Sequence, residues 1–74
     1  MKLYSLRGNV NGSAKTFSKQ FKSRDEAVNY FFNYSRKKLV FGLEIEEIVE
    51  IDSKHNLEYV CNHNSSFIVN RVHA

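Results

Sequence analysis

Three features of the sequence predict an α+β fold, an antiparallel sheet of four or five strands packed on one amphipathic helix. An Asn-Gly pair at 11–12 separates two alternating stretches, a capped helical period opens at Ser23, and alternation returns after Gly42. The expected order is ββαββ, with a further short stretch at the end available as a fifth strand. Seventy-four residues make one small domain, 1–74. A chain this short buries only about 60% of the surface it exposes when unfolded, so its core is thin.

The first element is a hairpin over 2–10 and 13–21. Both central residues of a two-residue hairpin turn need positive φ, which Asn and Gly tolerate. Pairing across the turn sets Val10 opposite Ser13, Leu6 opposite Phe17 and Tyr4 opposite Lys19. Tyr4, Leu6, Val10 and Phe17 then share an apolar face, while Ser5, Arg7, Thr16, Ser18 and Gln20 share a polar one.

The helix is expected over about 24–37. Ser23-Arg24-Asp25-Glu26 reads as a capping box, with Asp25 and Glu26 at the positive helix start and Arg36, Lys37 and Lys38 at its negative end. At 100° per residue, Ala27, Val28, Phe31, Tyr34 and Ser35 fall on one arc, flanked by Tyr30 and Phe32.

After a turn at Leu39–Gly42, the residues Leu43, Ile45, Val49 and Ile51 are expected on one strand face. Glu46-Glu47 breaks that period beside Ile48 and predicts a bulge. Asp52–Asn56 is turn chemistry, Leu57, Tyr59 and Cys61 alternate with Glu58 and Val60, and His63–Ser66 is a loop before a last strand at Phe67–Val72. One helix covers one face of such a sheet, so the other face is expected to be wet.

Several function classes lose support on residue chemistry. The lone Cys61 makes no internal disulfide, and with His55 and His63 it falls short of a zinc site. A thiol facing the core is a poor nucleophile. The carboxylates Glu44, Glu46, Glu47 and Glu50 read as a charged strand face, not as an acid/base pair in a pocket. No phosphate-cradling loop is present, and no apolar run suits a signal peptide or a membrane span. The expectation is a cytoplasmic protein, with no enzyme activity, cofactor, metal or small-molecule substrate.

Charge is distributed unevenly. Residues 1–38 carry nine Lys and Arg against two carboxylates, a balance of +7, while residues 39–74 carry two against six, a balance of −4. Such a chain can take an anionic partner with one half, pair its halves internally, or associate head to tail. In the basic half, Arg7, Lys15, Lys19 and Lys22 lie on or beside the hairpin strands, and a two-stranded ribbon of that kind fits a DNA groove. The stretch Asn11–Tyr34, a glycine turn, a Phe-Ser-Lys-Gln-Phe strand and a capped helix, loosely resembles the amino-terminal arm-binding domains of tyrosine integrases. That likeness implies DNA contact by the hairpin. It covers a third of the chain, rests on generic strand-cap-helix grammar, and assigns no family.

Aromatic residues give the second lead. Tyr30, Phe31, Phe32 and Tyr34 crowd one helix over more than one face, leaving Tyr30 and Phe32 as candidates for an exposed protein contact. The leading expectation is therefore a small non-catalytic regulatory protein that binds an unidentified protein partner, a second copy being one option. By base rate, such short factors often come from phages or mobile elements. The alternative is a nucleic-acid-binding domain using Arg7, Lys15, Lys19 and Lys22.

Overall fold

The computed structural model describes residues 3–38, 42–52 and 55–72. They form β1 (Leu3–Val10), β2 (Ser13–Thr16), α1 (Arg24–Arg36), β3 (Ile45–Glu50), β4 (Asn56–Cys61) and β5 (Ser65–Val72). The five strands make one sheet in the order β2-β1-β5-β4-β3, with every neighbouring pair antiparallel. This is the expected α+β architecture, with the fifth strand present and inserted at the centre. Helix α1 lies across β1 and β5 on one face.

Two tight turns sit side by side at one end of the sheet. Asn11 and Gly12 have φ of 53° and 88°, as the Asn-Gly pair predicts, and Val10 pairs with Ser13. His63 and Asn64 also have positive φ, and the Ser65 amide donates to the Asn62 carbonyl at 3.2 Å. The stretch His63–Ser66, expected as a loop, is therefore shorter, and β5 begins at Ser65. The Asn11 amide donates to Ser65 Oγ, and Asn9 Nδ2 donates to Ser66 Oγ, both at 2.9 Å. These bonds tie the two turns together.

The first hairpin departs from its expected register in its second half. The Phe17 amide donates to the Leu6 carbonyl at 3.2 Å, as expected, but Tyr4 bridges to Phe21 and not to Lys19. Regular pairing would set Lys19 under the helix start, where burying an ammonium is costly. Looping out Ser18–Gln20 brings Phe21 there instead, and it is completely buried.

Helix α1 begins after Ser23, the expected cap. Ser23 is extended, and its Oγ accepts the Glu26 amide at 3.1 Å. Arg24 anchors the same end, donating to the carbonyls of Val69 and His55 and lying over the Tyr4 ring at 5.1 Å. Ala27, Phe31 and Ser35 are buried beneath the helix, with Val28, Phe32 and Tyr34 packed at its flanks. Phe31 stacks on Phe67 at 4.4 Å, and Phe67 stacks on Tyr59 at 4.6 Å, so one column of rings joins helix, β5 and β4. Gly8 makes room for it. A Cβ there would meet Ser66 O at 2.5 Å and Phe67 Cβ at 2.6 Å.

The bulge expected at Glu46-Glu47 is present, because Ile45 pairs with Cys61 and Glu47 with Val60. It overturns the expected common face of Leu43, Ile45, Val49 and Ile51. The extra residue reverses the alternation. Ile48 now lies opposite Tyr59 on the helix side, and Val49 lies opposite Glu58 on the open side. Residues 39–41 and 53–54, within the turns expected at 39–42 and 52–56, lie outside the described residues.

Candidate functional site

The strand order turns the charge split of the sequence into a split in space. The lysines of the first hairpin gather at the β2 edge, and the carboxylates of β3 line the opposite edge. Each edge carries a distinct candidate surface.

At the β2 edge, lysine stems ride on aromatic rings. Lys15 Nζ sits 5.8 Å from the Phe17 ring centre, and Lys19 Nζ sits 5.0 Å from Tyr30 and 5.5 Å from Phe21. Lys38 Nζ lies 5.7 Å from Tyr34 at the helix end. The rings below support one another edge to face, Phe17 on Tyr34 at 5.0 Å and on Tyr30 at 5.6 Å. Alternation places Lys15, paired with Gly8, on the helix side of the sheet, whereas Arg7, paired with Thr16, projects from the open side. Lys22 is exposed just before the helix. The four cations of the basic hairpin thus divide between two faces.

The aromatic pair divides as well. Tyr30 is 38% exposed and stands on the flank toward Phe17 and Phe21. Phe32 is half-buried on the other flank, edge-on to Phe67 at 6.1 Å. Two residues apart on a helix means about 200° of rotation, so the two rings do not share a patch.

Among the described residues, none covers the β3 edge. Ile45, Ile48 and Ile51 are 36%, 56% and 45% exposed, and with Tyr30 they are the large exposed hydrophobic side chains among the described residues. Around them stand the exposed Glu44, Glu46, Glu47, Glu50 and Asp52. The Ile51 amide donates to the Asn56 carbonyl at 3.0 Å. Alternation from that bond turns the N–H and C=O of Val49 toward β4 and those of Ile48 and Glu50 outward. Ile45 and Ile48 on the helix side and Ile51 on the open side therefore flank backbone groups that no described residue pairs.

Chemistry of other kinds finds little to work with. Cys61 is buried, its Sγ lies 3.6 Å from the Tyr59 carbonyl, and burial, with a smaller push from Glu46, raises the thiol pKa to about 11. No group of three His, Cys, Asp or Glu converges to hold a metal ion among the described residues. One cleft of about 280 Å³ lies on the open face beside Arg7 and Ile68, and another of about 190 Å³ lies between Tyr30 and Lys37. Both are smaller than the pockets of about 300–1,000 Å³ that enclose small molecules. No helix among the described residues is long and apolar enough to cross a membrane.

No known family, curated protein or solved structure matches the chain. The local geometry alone ranks its surfaces.

Sequence reasoning missed the β3 isoleucines because it set two of them, Ile45 and Ile51, on one strand face and placed Ile48 only beside the bulge. Two signals pointed the other way. Adjacent glutamates mark the bulge that reverses the row, and a helix of 13 residues spans only about 20 Å, too short and narrow to cover five strands.

Proposed function

We propose that this chain is a non-catalytic interaction domain that binds a partner protein through the β3 edge of its sheet. The observation that carries this reading is the exposure of Ile45, Ile48 and Ile51 on an edge strand, in a domain too small to leave apolar area in water without cost. Apolar groups with a polar rim are the usual anatomy of a protein interface. Tyr30, the other exposed ring, already packs against Phe17 and Phe21, so its truncation is expected to disturb the fold as much as any partner. An accessory or regulatory role, acting by occupying the partner, suits a domain of this size.

The test is capture from a nuclease-treated cell extract, with the wild-type chain and Ile48→Asp side by side. The reading expects one or more proteins retained by the wild type and lost with the variant. Equal retention by both would move the contact away from β3.

A second reading, nucleic-acid binding, draws on the lysines poised over rings at the β2 edge. Since Arg7 projects from the other face, Lys15, Lys19 and Lys22 are the three phosphate contacts available together. Log K on duplex DNA would then fall against log salt with a slope near about −3. The Lys15→Ala change should flatten that slope by about 1, and Arg7→Ala should leave it unchanged. Micromolar or tighter binding at about 50 mM salt with that pattern would promote this reading above the first.

A further inference from the structure

The β3 edge also carries information about what kind of segment would cover it, given that it is the binding surface proposed above. We infer that the occupant is a basic, amphipathic segment of a partner protein, added to β3 as a sixth strand.

Three observations select it. The outward N–H and C=O groups of Ile48 and Glu50 offer backbone bonds to an extended chain, which is how a strand adds to a sheet edge. On the helix side of the sheet, Ile45 and Ile48 stand beyond the reach of α1 and call for apolar side chains from the added strand. On the open side, Glu47 calls for Lys or Arg across from it, with Glu44, Glu46, Glu50 and Asp52 adding to the field.

The same charges reject other occupants. A nucleic acid or an anionic lipid surface would meet like charge. Two copies of β3 paired edge to edge would set carboxylates against carboxylates. The chain's own basic edge, β2, has the right sign but offers only Ser13, Ala14, Lys15 and Thr16, too short and too polar to cover Ile45 and Ile48. A foreign strand of about six residues, the length of β3, satisfies both the apolar and the charged requirements.

The test titrates the full chain, labelled with ¹⁵N, with two capped seven-residue peptides at about 50 mM salt. One alternates lysine with valine; its twin carries glutamate in place of lysine. The lysine peptide is expected to bind at least about tenfold more tightly and to slow hydrogen exchange at the Ile48 and Glu50 amides, with the Tyr30 and Tyr34 signals unmoved. Glu47→Lys with Glu50→Lys, both exposed positions, is expected to reverse the preference. Equal affinity for the two peptides, or no binding of either, overturns the basic occupant. Binding of the lysine peptide without protection of Ile48 and Glu50 overturns strand addition. In either case the extract experiment still judges the parent reading separately, since loss of capture with Ile48→Asp does not depend on the partner's charge or conformation.

Discussion

The two edges of the sheet treat their apolar side chains differently. At the β2 edge, Phe17 and Phe21 are roofed by Tyr30 and Tyr34 from the helix, and lysine stems close over the rings. At the β3 edge, Ile45 and Ile48 on the helix side have no roof, because α1 crosses β1 and β5 and stops short, and Ile51 is exposed on the open side. The first edge is consumed by folding. The second is left over, and leftover apolar surface beside a free backbone edge is what a binding site needs.

The sharpest way to break this comparison is to truncate one residue from each side of it. Phe31, fully buried at the junction of helix and ring column, should cost about 3–5 kcal/mol as Phe31→Ala, enough to unfold so small a domain. Ile48→Ala should stay within about 1 kcal/mol, since more than half of that side chain is already in water. Thermal or denaturant unfolding of both variants decides the matter. Comparable losses would mean that β3 belongs to the core.

Gly8 tests the tight packing on the folded side. Gly8→Ala drives a methyl into Ser66 O and Phe67 Cβ, both under 3 Å away, and should cost about 1–3 kcal/mol. A neutral result would mean that the ring column has slack.

Smaller again is the helix cap. Ser23→Ala leaves the Glu26 amide without its partner and should cost about 1 kcal/mol. In a domain of this size that lowers the melting temperature by about 4–8 °C. A shift under about 2 °C would show that Arg24, bonded to Val69 and His55, holds the helix start without the cap.

The smallest effect is the pH response of Cys61. Folding keeps this thiol protonated to about pH 11, whereas an unperturbed thiol ionises near 9.0. Above pH 9 the unfolded chain loses the proton first. The stability tied to the thiol is therefore complete below about 9 and falls away between 9 and 11. Melting temperature should fall less steeply over that range in Cys61→Ala than in the wild type. Parallel curves would place the thiol in contact with water.

What the sequence disclosed follows the reach of each signal. Asn11-Gly12 and Ser23–Glu26 are local grammar, settled by backbone conformation within four residues, and both held. The helix arc of Ala27, Phe31 and Ser35 is a periodicity, equally local. The register of Tyr4 against Phe21 was not legible, because it depends on which residue the helix start will cover once the chain has folded. The exposure of Ile48 and Ile51 was hidden for the same kind of reason. It follows from a strand order that inserts β5 at the centre and sends β3 to the rim, and no local pattern in the chain encodes that order. Of the site residues proposed from the sequence, Tyr30 stays on the surface and Phe32 is drawn toward Phe67, a difference that only the helix's position over β5 determines.

Amide-resolved hydrogen exchange of the free protein at low concentration tests the central claim, a vacant β3 edge, most directly. In this account the amides of Ile48 and Glu50 exchange nearly as fast as an unstructured chain. Those of Val49 and Ile51 are protected by β4, and Phe67 and Val69, with β1 on one side and β4 on the other, are the slowest. Protection at Ile48 and Glu50 matching that at Val49 would show that something already occupies the edge, and a vacant docking strand would be contradicted.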